Sequence, residues 1–380
     1  MQLFDDKRRQ LAAEYQKEKK VNNRYSLVIK LLFLIIFFGF SLELKVYNII
    51  SEGIANWEIR LLAYIGGLFL VYTILDTSLS YIFNYRLNYR YNLTEQKISG
   101  WLGDQVKSFI LNLGVIYPAA RVFLFLIKNY SQTWWIYFTI IASVFTVVLT
   151  LLVPVIILPM FFKLEPYPEG SLKERITNLV KRAGIKFDEI YEINLSTRVN
   201  YANAAVIGLG KTRKIALGDK LQENYSEEEI EAAMAHEIRH HVQKDMFKNI
   251  LVQSLMILLT SFFIYHFWPI IAEFWGYVSF HEAYTLPLLF VLWKIFSWLV
   301  SPIQLYYNRF QERKADEFAC KMISSPKPFA SALARLADES LAELNYGYYK
   351  LLFKASHPAI GDRIELLNIS DTDYLSQGTR

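Results

Sequence analysis

The chain has 380 residues, of which 53% are hydrophobic and 16% aromatic, a composition typical of a membrane protein rather than of several soluble domains. Its net charge of +5 is modest, and no dense basic tract contains interleaved aromatic residues, so we expect no nucleic-acid partner. The only cysteine is Cys320, which excludes an internal disulfide and a cysteine-based metal site.

A charged, helix-prone N-terminal stretch precedes a long apolar segment. This segment is too long for the core of a signal peptide and lacks a small-residue cleavage site. We therefore expect it to be retained as the first of six transmembrane helices, each of which needs about 20 apolar residues. The predicted spans are residues 25–50, 59–84, 108–128, 134–162, 250–272 and 284–306.

The positions of lysine and arginine predict the orientation of these spans. They concentrate before the first span, between the second and third, and after the fourth and sixth, whereas residues 266–283 contain neither. The positive-inside rule then places both termini, residues 163–249 and residues 308–380 in the cytoplasm. Inside the spans we expect the charged residues to form salt bridges or to line a water-filled chamber. These residues are Asp76, Arg121 and Lys294.

Residues 163–249 form a polar segment between the fourth and fifth spans. A helix is predicted from the capping sequence at 171–174 to Gly184. Strand-like runs follow at residues 189–196, 203–207 and 213–217. The sheet either only supports a neighbouring helix or also binds an extended peptide along its edge strand. We favour peptide binding, by Asn203, Ala204 and Ala205.

An H-E-x-x-H motif occupies residues 236–240. On a helix His236 and His240 leave the same face, so both imidazoles can bind one metal ion. Glu237 lies one position further round, where its carboxylate can reach a water on the metal, as in zinc peptidases. Ser226 and Glu229 form a capping-box sequence that predicts where this helix begins. An isolated motif of this length also arises by chance.

A second predicted helix, at about residues 308–322, strengthens the metal-site interpretation. It places Glu312 and Asp316 one turn apart on one face. Glu312 can supply a third, anionic zinc ligand and leave the fourth position for water. Asp316 can hydrogen-bond a ligand imidazole from outside the ligand set, and we assign the same role to Asp245. We expect one zinc ion per chain. A further helix is predicted at residues 328–343.

Taken together, these motifs resemble the type I CAAX prenyl protease family of integral-membrane zinc metalloendopeptidases. The HtpX-type quality-control proteases are more distant relatives. The resemblance runs from about residue 60 to 367. Its markers are residues 75–81, 101–107 and 158–161, Asn203-Ala204, the H-E-x-x-H motif, Arg309-x-x-Glu312-x-x-Ala315-Asp316, and Ser356-His357-Pro358 with Arg363.

The resemblance implies a membrane all-α bundle or barrel of about six transmembrane helices, with an α+β gluzincin-type zinc peptidase domain on the cytoplasmic side. It implies zinc bound by His236, His240 and Glu312, with Glu237 as general base. It also implies transition-state or substrate contacts from His357 and Arg363, and a large aqueous chamber. The eukaryotic members have one more N-terminal span. We divide the chain into residues 1–162, 163–249, 250–307 and 308–380.

Arg239 departs from the family, which has glycine at this position of the motif. Glycine costs a helix about 1 kcal/mol, so its use there suggests a need for space. An arginine beside a divalent cation is unfavourable unless a carboxylate pairs with it. The sequence therefore predicts that Arg239 slows cleavage without displacing zinc, and that Arg239→Gly is faster. The alternative is a working contact with a substrate carboxylate.

The sequence thus predicts a multi-pass membrane zinc endopeptidase that hydrolyses membrane-associated or lipidated polypeptides. Its nucleophile is a zinc-bound water activated by Glu237. The alternatives are a catalytically weak membrane scaffold, motivated by Arg239, and an HtpX-like quality-control protease. A zinc transporter is disfavoured because the ligands lie outside the predicted spans.

Overall fold

The computed structural model describes residues 3–187, 189–201, 204–208 and 213–367. Asn203, predicted to bind substrate, lies outside the described residues. The helices are α1 (Asp6–Gly39), α2 (Leu42–Gly53), α3 (Trp57–Arg90), α4 (Ile98–Asn129), α5 (Trp134–Phe161), α6 (Ser171–Arg182), α7 (Leu221–Asn224), α8 (Glu227–Val242), α9 (Asp245–Phe274), α10 (Leu286–Met322), α11 (Lys327–Glu339), α12 (Tyr348–Phe353) and α13 (Ile360–Leu366). The strands are β1 (Leu164–Pro166), β2 (Glu189–Ile193), β3 (Ala204–Ile207) and β4 (Lys214–Gly218), and short 3₁₀ turns occupy Leu195–Thr197 and Ala283–Thr285.

Within the described ranges, six helices are long and apolar enough to cross a membrane, which confirms the predicted number. They are α1, α3, α4, α5, α9 and α10, the last extended at its start to Ala283. Two of them contain a π-helical turn, at Tyr81–Tyr85 in α3 and at Val153–Ile157 in α5. Pro154 lies in the second of these turns, where its missing N–H interrupts the regular hydrogen-bond ladder.

The first span differs from the prediction of residues 25–50. Helix α1 begins much earlier, because the Asp5 side chain accepts a hydrogen bond from the Arg8 backbone N–H and the charged residues that follow favour a helix. It ends at Gly39. Ser41 then adopts a left-handed conformation, with φ of 49°, and the chain turns into the separate helix α2.

Two other predicted boundaries were wrong. Ser171 is not the cap of α6, because Gly170 occupies that position and no side chain caps the helix. The predicted helix at 308–322 is not separate from the sixth span. Helix α10 continues without a break from the membrane through Pro302 to Met322, so Glu312 lies on a direct extension of that span. Proline is tolerated there at the cost of one backbone hydrogen bond.

Charged residues inside the spans are mostly paired. Lys30 Nζ lies 2.5 Å from Asp76 Oδ1, and Arg121 Nε lies 2.9 Å from Glu58 Oε1. Lys294 instead places its ammonium 5.2 Å from the centre of the Phe290 ring. Pairing and cation–π contact both reduce the cost of a charge in apolar surroundings.

The four strands form one sheet in the order β1-β2-β4-β3. The central pair, β2 and β4, is parallel, and the outer strands are antiparallel to their neighbours. Strand β3 therefore lies at an edge of the sheet, next to the helix that carries the H-E-x-x-H motif. One core joins the sheet with α6, α8 and α11. Its fully buried members include Ile176, Leu179, Ile190, Ile215, Leu217, Ile230, Met234, Ile238 and Phe329.

This core fixes the motif helix, because each large apolar side chain contributes roughly 1.5–3 kcal/mol when buried. The start of α1 also packs against this polar domain, through hydrogen bonds to α11. Arg9 Nε donates to Asp338 Oδ1 at 2.5 Å, and the Asp5 N–H donates to Asp338 Oδ2 at 2.8 Å. The N-terminal end of the first span and the polar sheet domain thus lie on one side of the bundle.

Candidate metal centre

Helix α8 presents both histidines of the motif from its last turns. Its start is fixed by a capping box, in which the Ser226 hydroxyl accepts from the Glu229 N–H and the Glu229 carboxylate accepts from the Ser226 N–H. His236 is buried, and His240 is partly buried one turn later. The two rings are 5.2 Å apart, as expected for residues four apart on one helical face.

Glu312 on α10 meets these two histidines. Its Oε2 lies 3.1 Å from His236 Nε2, and its Oε1 lies 3.4 Å from His240 Nε2. One ligand atom from each of the three residues can be chosen so that all lie within 4.8 Å of one another. Ligand atoms around a tetrahedral zinc ion are about 3.3 Å apart, given bonds of about 2.0–2.1 Å. The spacing therefore fits a single metal ion.

The charge of Glu312 supports the same conclusion. The side chain is buried, yet its Oε2 accepts no hydrogen bond from the described residues. None of the described lysines or arginines pairs with this carboxylate, and its neighbours are His236, His240 and His357. A buried carboxylate is costly unless positive charge lies beside it. A cation held by two imidazoles and this carboxylate removes that cost, and such a donor set suits zinc.

Two buried aspartates orient the histidines. His236 Nδ1 lies 2.8 Å from Asp316 Oδ1, and His240 Nδ1 lies 2.9 Å from Asp245 Oδ2. If Nδ1 carries the proton and donates it to the carboxylate, Nε2 is left as the metal-binding atom of each ring. Asp245 reaches this position because Lys244 adopts a left-handed conformation, with φ of 55°, which turns the chain sharply between α8 and α9.

Without a metal ion, the carboxylates favour protonated histidines. Burial opposes the charge on His240, but interactions with Asp245 and Glu312 outweigh it and raise the pKa of this imidazole to about 9. Burial likewise opposes the charge on His236, yet Asp316 and Glu312 raise its pKa. A cation that binds the imidazole nitrogens therefore competes with protons for these positions.

Arg363 on α13 completes the group around His236. Its Nε donates to Asp316 Oδ2 at 2.9 Å and its Nη2 donates to Asp316 Oδ1 at 2.6 Å. Burial opposes the charge of Arg363, but the pairing with Asp316 outweighs it and raises the pKa of the guanidinium. A bidentate pair of this kind fixes the aspartate geometrically as well as electrostatically. The structure thus brings Arg363 to the site, in contact with the aspartate that orients a histidine.

A cavity of about 230 Å³ opens beside the histidines. Its polar lining residues include Glu237, His357 and Arg363, and Ala204 of the edge strand also lines it. The rest of the wall is mainly apolar and comes from α7, α8 and α11. His357 is exposed, and its Nε2 lies 3.5 Å from Glu312 Oε1, which places the residue at the open side of the site. The structure therefore places the sequence-predicted general base and the edge strand around one space.

Arg239 does not project freely towards the candidate metal position. Its side chain is buried, and its Nη1 donates to Asp245 Oδ2, the oxygen that also faces His240 Nδ1. Lys248 Nζ approaches the other oxygen of Asp245 at 3.2 Å. Asp245 thus pairs with Arg239 and supplies the carboxylate that makes an arginine at this position of the motif favourable.

His241 is a residue whose contact the sequence analysis missed. Its Nε2 lies 2.9 Å from the carbonyl oxygen of Val206 on β3, so the motif helix holds the edge strand directly. Burial lowers the pKa of His241, which favours the neutral ring as the donor. The only sequence signal was a third histidine immediately after the motif.

Two protein-family models together match most of the chain. Residues 166–370 match the model of Peptidase family M48, and residues 1–163 match the model described as CAAX prenyl protease N-terminal, five membrane helices. The chain belongs to peptidase family M48 and is an integral-membrane metalloprotease with several transmembrane helices. Of the described residues up to 163, four helices are long enough to span, and α2 has only 12 residues.

Individual relatives extend over most of the chain. The uncharacterized metalloprotease YhfN of Bacillus subtilis is 28% identical over 366 residues, covering 92% of this chain and 85% of that protein. CAAX prenyl protease 1 of Saccharomyces cerevisiae is 26% identical over 341 residues, covering 83% and 72%. The crystal structure of S. mikatae Ste24p has the same fold, with a TM-score of 0.86 at 22% identity over 96% of this chain and 90% of that chain.

The Arg239 pair yields a prediction opposite to that from the sequence alone. Arg239→Gly should lower both the melting temperature and zinc retention against a chelator, because Asp245 loses a buried partner. Breaking such a pair costs roughly 3–5 kcal/mol, less here because Lys248 remains, and the helical glycine adds about 1 kcal/mol. Arg239→Lys should lower the melting temperature and the zinc retention less than Arg239→Gly does. Faster cleavage by Arg239→Gly at unchanged zinc content would support the crowding interpretation instead.

Proposed function

We propose that the metal is zinc, one per chain, and that the protein is an endopeptidase for membrane-associated polypeptides. The observation that supports the proposal best is the buried Glu312 carboxylate, which has no lysine or arginine partner among the described residues and faces two oriented histidines. We propose His236, His240 and Glu312 as the ligands. Zinc in such a ligand set polarises a scissile carbonyl and lowers the pKa of water.

Glu237 is proposed as the general base. It follows a ligand on the same helix and lines the cavity rather than joining the ligand cluster. Its carboxylate takes a proton from the attacking water as the new C–O bond forms, and returns the proton to the nitrogen as the C–N bond breaks. General acid–base catalysis by a positioned side chain contributes about 10²–10⁴-fold to the rate.

His357 is proposed to stabilise the oxygen that becomes negative as water adds to the carbonyl. It lies at the open side of the cavity near Glu312, and its Nδ1 lies 2.8 Å from the Ser356 hydroxyl, which helps to fix the ring. Preorganised donors aimed at developing charge are the effective ones. Arg363 contributes to the same wall, and we propose that it acts mainly through Asp316 and His236.

Strand β3 is proposed to bind the substrate as an additional strand. The Val206 carbonyl already engages His241 on the outer side of the strand. Residues two apart in an antiparallel edge strand direct their backbone groups to the same side, so the N–H and C=O of Ala204 are open to a peptide. Ala204 also lines the cavity, which brings a bound peptide to Glu237 and His357. Ala205 faces β4 in this arrangement.

For the natural substrate, the similarity to CAAX prenyl protease 1 supports lipidated or otherwise membrane-associated polypeptides. A prenylated peptide ending in a CAAX sequence is the first substrate to test, against a matched unprenylated peptide. We also propose that the termini and the active site face the cytoplasm, which the distribution of lysine and arginine supports.

Two substitutions separate the proposed ligand from the proposed base. Glu237→Gln should keep zinc and lower the rate of peptide cleavage about 10²–10⁴-fold. Glu312→Gln should lower zinc retention, because a neutral amide is a weaker ligand than a carboxylate. Zinc content by mass spectrometry and turnover of a quenched peptide in detergent provide the two readouts. Equal zinc loss in both variants would contradict these separate roles.

Proline substitutions on β3 test the peptide-binding edge. Ala204→Pro removes an outward N–H, so KM should rise roughly three- to tenfold, the value of one hydrogen bond, with little change in melting temperature. Ala205→Pro is the matched control, since it removes an N–H directed to β4 and should lower the melting temperature. If KM for Ala204→Pro stays at the wild-type value, the substrate does not pair with this edge.

Orientation can be measured by cysteine labelling in a Cys320→Ser background. Glu169, whose side chain is 86% exposed, lies on the side of the sheet domain, and Val278, 97% exposed, lies in the connection between the fifth and sixth spans. A membrane-impermeant maleimide should label Val278→Cys in intact cells, and Glu169→Cys only after permeabilisation. The reverse pattern would place the active site outside the cytoplasm.

A further inference from the structure

Arg309 is a buried arginine for which the proposed mechanism gives no role. It lies on α10, one helical turn before Glu312, and is only 6% exposed. It pairs with no carboxylate among the described residues. Its Nη1 instead donates to two backbone carbonyls, those of Leu351 at 2.6 Å and Ala355 at 2.7 Å. A buried guanidinium needs such acceptors, because an unpaired buried charge is costly.

One acceptor, Leu351, lies at the end of the short helix α12, and the other, Ala355, is the second residue after it. Leu351 lies in the last turn of the helix, where carbonyls lack partners within the helix. A cation is favourable at this negative end. Arg309 therefore fixes the point at which the chain leaves α12.

His357 follows two residues after Ala355. The segment that carries it is held on both sides, since Ala355 is buried against Arg309, and Pro358 and Ala359 are also buried. Gly361 N–H donates to the Leu344 carbonyl at 2.9 Å, which anchors the following turn. His357 itself is exposed between these anchors and reaches to 3.5 Å from Glu312.

We propose that Arg309 is a positioning residue that holds His357 at the active site. One helix then supplies Glu312 directly and places His357 through a guanidinium one turn earlier, so that both move as a unit. Stacking of Trp298 on Phe353, with ring centres 4.5 Å apart, attaches α12 to α10 at a second point nearer the membrane. This inference rests on the proposed role of His357 in stabilising the transition state.

The test combines Arg309→Gln with His357→Ala. Arg309→Gln should lower kcat about 10–100-fold with KM and zinc content unchanged. The reason is that a displacement of His357 by about 1 Å can slow the reaction by up to about 100-fold. Hydrogen exchange of the amides in residues 351–357 should accelerate. In the His357→Ala background Arg309→Gln should lower kcat no more than about twofold further. The imidazole that Arg309 positions is already absent there, so the two substitutions affect the same function.

Two more variants make the result specific. Arg309→Lys keeps a cation with several N–H donors and should recover part of kcat, which also guards against a glutamine variant that folds poorly. Arg313→Gln, at an exposed position one turn along, should leave kcat and exchange at wild-type values. An equal loss of kcat in the wild-type and His357→Ala backgrounds, or loss of zinc, would overturn the inference. Unchanged kcat in His357→Ala alone would instead contradict the proposed role of His357.

Discussion

The arrangement of three buried carboxylates determines the chemistry of this site. Two of them have arginine partners: Asp316 pairs with Arg363, and Asp245 pairs with Arg239. Glu312 faces only histidines among the described residues. The paired aspartates can hold the imidazoles by Nδ1, whereas a cation at the imidazoles can balance the charge of Glu312. This charge balance supports the proposed metal position between His236, His240 and Glu312.

The membrane spans make this balance possible by bringing distant parts of the chain together. The motif helix α8 runs into span α9 through one sharp turn at Lys244, and Asp245 is the first residue of that span. Glu312 and Asp316 lie on the extension of span α10, which packs against both α8 and α9. The position of Glu312 relative to the histidines is therefore set by helix packing in and near the bilayer. A displacement of either span would separate Glu312 from the two histidines.

Patterns with a fixed local geometry allowed much of this structure to be predicted from the sequence. Apolar length gave six spans, and the four-residue spacings gave the shared faces of His236 with His240 and of Glu312 with Asp316. The capping box at Ser226 marked the start of α8. Boundaries were harder to predict, because α1 and α10 continue as helices beyond the apolar segments that suggested them.

Contacts between residues distant in sequence could not be predicted. The partner of Arg239 depends on the turn at Lys244, and nothing local shows that this turn directs Asp245 back to the motif. The hydrogen bond from His241 to Val206 and those from Arg309 to the segment before His357 join elements separated by tens of residues. Such interactions follow from tertiary packing. These tertiary contacts also determine which partner each charged side chain has.

X-ray absorption of the zinc-loaded protein would measure directly whether two histidines and a carboxylate bind the metal. We expect one zinc per chain with only nitrogen and oxygen neighbours at about 2.0–2.1 Å, including the scattering pattern of two imidazoles. Glu312→Gln should change this spectrum, whereas Glu237→Gln should leave the protein ligands unchanged. A sulfur neighbour at about 2.3 Å, which only Cys320 or a methionine could supply, would contradict the assigned ligand set, as would a spectrum with a single imidazole.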